Sequence, residues 1–255
     1  MSRIKAFLIH LFGSVMIVLG IALMTLYIWY PDFYFYSNGA WRPLSTMVLV
    51  DAGLGPLLMF ILFKPGKPGL KFDVTMILIF QIVALFGAMW VLYSQRPLLV
   101  VYHDGLWVCL NQQQVRFAKA IPSQFIREGE KVPIAYLPLP KDVQEAKARQ
   151  QYLNTLPPDA LTLPAFVFGE AFKPVTPATS STWKEELDIL AGLQKENTFQ
   201  SSWEKFTRKV KNVDDYSYFS MGCGPEEYVV ALERQTGKLF DAFRMNTLNV
   251  PRKKK

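Results

Sequence analysis

The sequence has few of the residues that most often carry chemistry. Histidine occurs twice, as His10 and His103, and cysteine twice, as Cys109 and Cys223. There is no CxxC pair, so the composition argues against a metal site. No GxSxG, HExxH, Walker motif or other phosphate-cradling loop is present. His103 and Asp104 are adjacent, and adjacent strand residues point to opposite faces, so they make a poor dyad. Glu185-Glu186 and Glu226-Glu227 read as solvated positions. No catalytic set emerges. The expectation is a protein that is not an enzyme and needs no cofactor.

Charge is also missing from three long stretches. Residues 7–30 and 74–93 contain no Asp, Glu, Lys or Arg, and residues 44–63 contain only Asp51. Each stretch has about the 20 residues an α-helix needs to cross ~30 Å of hydrocarbon. The reading is a three-helix transmembrane anchor over residues 1–95 and a polar remainder over residues 96–255. The first stretch starts basic, like a signal peptide. Its apolar core is longer than a signal core and no A-x-A-like site follows, so an uncleaved anchor is favoured. Gly13, Ser14 and Gly20 read either as a small-residue packing face or as scattered glycines.

The connectors set the orientation. Arg3 and Lys5 precede the first stretch, and Lys64, Lys67 and Lys71 lie between the second and third. The other connector has Asp32 and a single Arg42. Basic connectors stay cytoplasmic, so the N-terminus is expected inside and residues 96–255 outside. Tyr27, Trp29, Tyr30, Trp90 and Tyr93 fit an outer aromatic belt.

The net charge of +7 owes four charges to Arg252, Lys253, Lys254 and Lys255. That tail reads as a solvated terminus. Without interleaved aromatics it gives no support to nucleic-acid binding. Cys109 and Cys223 both fall in the outward part, where an oxidising space permits a disulfide. The bridge is favoured over two buried free thiols. It would close a loop of more than about 100 residues, for which chain entropy predicts about 4–5 kcal/mol.

The outward region reads as an α+β domain. Residues 98–110 form one or two strands broken near Asp104-Gly105. A helical tendency follows around residues 112–120. Residues 131–140 carry three prolines and are at best an edge strand. Residues 141–154 are a helix, and 155–182 a proline-rich connector with a short strand at 166–168. Thr182 and Glu185 fit a capping box for a helix with Trp183, Leu187, Leu190 and Leu193 on one face. A further helix carries Trp203, Phe206 and Val210. Strands at 216–223, 228–234 and 239–245 close the domain, the last two as a hairpin.

Asp51 is the most informative single residue. It is placed about two turns into the second helix from its outer end, where a carboxylate costs about 2–3 kcal/mol and faces a bundle interior or water. Ala52, Gly53, Leu54, Gly55 and Pro56 follow, and Pro56 frees the carbonyl of Ala52. The segment is polar, kinked and small-surfaced. Docking of another membrane helix and internal packing among these three helices both remain open. The other polar residues in the apolar stretches, Gln81 and His10, give Asp51 little support as a transport or proton-relay acid.

The opening SRIKAFLIHL, the segment VDAGLGPLLMFILFKPGKP (50–68) and the exit segment SQRPLLVVY (94–102) resemble type IV pilin accessory proteins of the TfpX/TfpZ type. Asp51, Leu54, Gly55, Pro56 and Leu57 match that family's second-helix motif. Phe63, Pro65, Lys67 and Pro68 match its loop, and Arg96-Pro97 its exit. The resemblance covers roughly the first 105 residues. It implies a multi-pass protein of a bacterial inner membrane with its large C-terminal domain in the periplasm. It implies a non-enzymatic, chaperone-like role in pilus biogenesis. The expected partners are membrane lipid, a cognate type IV pilin (the major pilin subunit) and the pilus assembly machinery. The rival from another class is a membrane-anchored sensor or regulatory protein with an extracytoplasmic ligand-binding domain.

Overall fold

The computed structural model describes residues 2–104, 106–157, 163–176, 179, 200–224 and 227–244. The expected helix beginning near Trp183 with its Thr182 cap, the glutamates at 185, 186 and 226, and the basic tail lie outside the described residues. The chain divides into two compact units, Met1–Arg96 and Pro97–Lys255.

Three helices of the first unit are long and apolar enough to cross a membrane: Arg3–Trp29, Trp41–Leu62 and Leu70–Gln95. The first span is α1 (Arg3–Met24), capped by the Ser2 side chain and extended by a π-helical turn, Thr25–Trp29. A short helix α2 (Tyr34–Ser37) leads into the second span. That span is α3 (Trp41–Met47), a π-helical segment Val48–Leu54, and α4 (Gly55–Leu62). Pro56 has no amide hydrogen to give the Ala52 carbonyl. The backbone absorbs the loss by widening to π geometry, and the Gly55 amide donates to the Val50 carbonyl instead. The third span, α5 (Leu70–Gln95), is continuous.

Two details of the first unit differ from expectation. The second span starts at Trp41, so Asp51 sits near its middle rather than two turns from its outer end. Tyr30 does not join an exposed aromatic belt. It is buried, and its hydroxyl donates to the Leu92 carbonyl at 2.7 Å, while Tyr27 is exposed.

The second unit holds two sheets. The first is four-stranded in the order β2-β1-β3-β4, with β1 (Leu99–His103), β2 (Leu106–Leu110), β3 (Ile134–Tyr136) and β4 (Lys173–Pro174). Of the one or two strands expected over 98–110, two form, β1 and β2, paired as a hairpin turned at Asp104, whose φ of 47° is a left-handed conformation that aspartate tolerates. β3 lies inside the sheet, parallel to β1 and antiparallel to β4, not at an edge. Its ladder spans only Ile134–Tyr136, inside the stretch bounded by Pro133 and Pro138, so no proline has to donate inside it. Residues 166–168 form no strand. Pro164, at a helix N-terminus where its missing N–H costs nothing, opens a short helix over Pro164–Val167.

Among the described residues, the α-helices of this unit are α6 (Gln112–Phe117), α7 (Val143–Asn154), α8 (Pro164–Val167) and α9 (Gln200–Thr207). α6 begins with a reciprocal box between Asn111 and Gln114. The second sheet is antiparallel, in the order β5-β6-β7: Tyr216–Gly222, Glu227–Glu233 and Leu239–Arg244. Leu99, Val101, Leu110, Phe125, Phe166 and Phe172 form one core. Phe206, Tyr218, Val229 and Phe243 form the other. The sheets meet where the Phe219 ring lies 5.8 Å from Trp107 and 6.3 Å from Tyr102. Cys109, on β2, and Cys223, just after β5, are disulfide-bonded there with Cα atoms 4.9 Å apart. The fold is therefore three apolar helices followed by an α+β region.

Candidate functional site

Asp51 is the only acid in the middle of any span. It is 5 % exposed, and its Oδ2 makes no hydrogen bond. Gln81, on the third span, is 9 % exposed, and its amide donates to the Asp51 backbone carbonyl at 3.2 Å. That carbonyl lies in the π segment, where the regular helical ladder is interrupted. A polar side chain from a neighbouring helix thus satisfies a backbone group that has no water to bond. Gly55 makes the approach feasible, since a Cβ there would overlap the Gln81 carboxamide.

Asp51 and Gln81 line a pit of about 210 Å³ with Ile9, His10, Gly13, Ser14, Ile17 and Leu78. His10 Nε2 is buried without a hydrogen-bond partner. The pit opens between the first and third spans, and Asp51 reaches it from the second. Three polar residues, one from each apolar stretch, therefore converge. In the sequence His10 and Gln81 stand as isolated polar residues. Each is the one strongly polar side chain of its charge-free run, and that is the only signal there.

The expected partner-binding segment divides between two faces. Asp51, Gly55 and Pro56 are buried, whereas Gly53 and Leu54 are exposed. Leu54 and Leu58 border a second hollow of about 510 Å³ between the second and third spans, with Leu62, Met76 and Phe80. Its lining is almost wholly apolar. The pit, by contrast, is lined by the polar side chains of His10, Asp51 and Gln81.

Comparison with known proteins now adds a relation. The chain is 33 % identical over 97 residues to the fimbrial assembly protein of serogroup E1 from Dichelobacter nodosus. It is 32 % identical over 97 residues to the fimbrial assembly protein of serogroups C1 and C2 from the same organism, covering 73 % of that protein. The chain belongs to the fimbrial assembly protein family. The matched stretch is 37 % of this chain and 37 % of the serogroup E1 and serogroup I proteins. No known protein-family profile matches the chain. No solved structure matches it.

In this fimbrial assembly family member the loop after the second span is a tight turn. Phe63 ends α4 in extended backbone, and Gly66 and Gly69 take φ of 79° and 83° around Lys67 and Pro68. Lys67 pairs with Asp73 at 2.5 Å, on the first turn of α5. The acid sits where the helix dipole favours it. Pro65 lies in the same turn. Arg96 stacks on Tyr93 with its guanidinium carbon 3.6 Å from the ring centre, and it donates to the Tyr93 carbonyl at 2.6 Å. It thereby caps the end of the third span, and extended backbone at Arg96 before Pro97 stops the helix. These motif residues all shape turns at span ends, apart from the Asp51 pit.

In the second unit, His103 Nδ1 lies 3.5 Å from the Leu137 carbonyl. Burial holds its imidazole below the ordinary value, with the Leu137 contact and the Asp104 charge opposing that shift. Asp104 sits in the turn with left-handed backbone. Among the described residues, no group of three His, Cys, Asp or Glu side chains is placed to hold a metal.

Proposed function

We propose that the chain is a bacterial inner-membrane accessory protein, chaperone-like and non-catalytic, that binds its cognate type IV pilin and supports pilin stability and pilus assembly. The observation that carries this reading is the relation to fimbrial assembly proteins. The architecture is compatible with it. A partner with an apolar helix in the membrane and a globular head outside needs a receptor with a membrane face and an outer domain. Basic Arg3, Lys5, Lys64, Lys67 and Lys71 favour a cytoplasmic N-terminus and second loop, which supports a periplasmic position for the remainder of the chain. The segment from Gly53 to Pro56 and its flanking hollows are where the pilin helix would pack. The outer unit would contact the pilin head and supply pairing specificity.

The test is co-purification. Tagged full-length chain and its cognate pilin are expressed together, extracted in mild detergent and captured on the tag. Pilin in the eluate above a tagged, unrelated three-span control is the expected result. Absence of pilin at every detergent strength contradicts direct binding.

A second reading, a membrane-anchored sensor with an outer ligand site, draws support from one observation. The outer unit has a hollow of about 700 Å³ bordered by Arg116, Lys119, Tyr152 and Phe168. Small anionic compounds should then raise the thermal stability of the purified full-length protein, and Lys119→Ala should abolish that effect.

A further inference from the structure

We infer that the pit holding Asp51 is a recognition site for one hydrogen-bond-donating side chain on the membrane helix of a partner. This rests on the pilin-binding reading and names the chemistry by which the bundle recognises that helix.

Asp51 lies near mid-span, 5 % exposed, with Oδ2 buried and unbonded. A carboxyl group in hydrocarbon without a hydrogen bond is costly, and within a span such a residue marks a function. Gln81 does not supply that bond, because its amide is committed to the Asp51 backbone carbonyl. His10 Nε2, on the same pit, is also unbonded. The pit therefore presents two unused polar atoms at one depth.

Its shape selects the occupant. At about 210 Å³ it admits a side chain and not a helix. Its rim is aliphatic: Ile9, Ile17, Leu78 and Ile82 are each about half exposed, toward the space a membrane would fill. A helix lying along that rim would bury the aliphatic side chains and insert one polar side chain between them. Gly13 leaves room at the rim, since a Cβ there would meet nothing within 4 Å. An acceptor-only Oδ2, if ionised, or a carboxyl group facing a ring nitrogen is complemented by a donor. The class is hydroxyl, carboxamide or ammonium, all satisfying Oδ2 in the same way. The apolar hollow beside Leu54 and Leu58 has no such group facing it other than Gln81 and the rim residue Asp73.

Photo-crosslinking in membranes containing cognate pilin tests this. A crosslinker is placed in the full-length chain at the pit rim (Ile17 or Ile82), beside the apolar hollow (Leu54 or Leu58), or in the outer unit at exposed Ile126. Pilin adducts are expected from the rim. Asp51→Ala should lower them by about fivefold, which corresponds to the roughly 1 kcal/mol of an interhelical hydrogen bond. Gly13→Leu, which obstructs the rim and leaves Asp51 intact, should lower them as well. Both variants are scored at equal protein abundance, and adducts from Ile126 should persist. Rim adducts unchanged in both variants overturn the inference. Adducts from Leu54 and Leu58 with none from the rim also overturn it while leaving pilin binding intact. No adduct from any position overturns pilin binding itself.

Discussion

The Gln81 carboxamide donates to the backbone carbonyl of Asp51 at 3.2 Å. This one bond joins the continuous third span to the π-helical part of the second. It exists because the residue beside it is glycine.

Gly55→Ala should therefore loosen the bundle, since the new methyl group overlaps the Gln81 amide. Overpacking of this kind costs about 1–3 kcal/mol. Gly53→Ala is the matched control, because its Cβ would meet only Leu49 Cδ1 at an ordinary 3.8 Å. Protease resistance and thermal aggregation in detergent should separate the two, with Gly55→Ala less stable and Gly53→Ala near wild type.

The Cys109–Cys223 bridge closes a separation of 114 residues and pins the two sheets of the second unit together. Cys109→Ser with Cys223→Ser should destabilise that unit by up to about 4–5 kcal/mol on the chain-entropy argument. Non-reducing gels of wild-type protein should show a mobility shift on reduction that the double variant lacks. Denaturant titration of the full-length protein followed by proteolysis gives the stability change.

Arg127 is a hub that no motif announces. Its guanidinium pairs with Glu130 and donates to the carbonyls of Gly237 at 2.8 Å and of Thr236 and Val175 at 3.3 Å. Nearby, Lys238 Nζ donates to the Glu128 carbonyl at 2.8 Å. Together they fasten the β6–β7 turn to the loop before β3. Arg127→Lys keeps the charge but loses the planar fork. It should cost about 1.5–3 kcal/mol, the range for hydrogen bonds to a charged group. Faster amide exchange confined to residues 234–238 would be its signature.

The second unit should also weaken on mild acidification. Burial holds the His103 imidazole below its ordinary 6.5, so the unfolded chain binds the proton more readily. The stabilisation from neutral His103 is complete above about 6.5 and is lost as pH falls below it. Glu145 is shifted the other way, chiefly by the Lys141 amide and then by Arg149, and acts only below its ordinary 4.5. Between those limits the decline belongs to His103. The urea midpoint of the full-length protein should fall from about pH 7.5 to about pH 5, and His103→Gln should flatten the slope.

The spans were legible because charge is absent over lengths that match hydrocarbon. The convergence of His10, Asp51 and Gln81 was not. It depends on how three separate helices pack, and on a π segment. One inserted residue turns every later side chain by about 100° relative to a regular helix. The turn at Asp104 and the helix capped by Asp142 followed from local chemistry. The interior place of β3 did not, because strand order is set by partners distant in sequence. Pro164 misled in the same way. It precedes apolar Phe166 and Val167, which suit a strand, yet its fixed φ favours the first turn of a helix.

Deleting the gene and measuring pilin abundance in whole cells, with surface pili counted in parallel, tests the pilin-accessory reading most directly. Low pilin or few pili, restored by the wild-type gene, is the expected result. Normal pilin and normal pili in the deletion strain would contradict it.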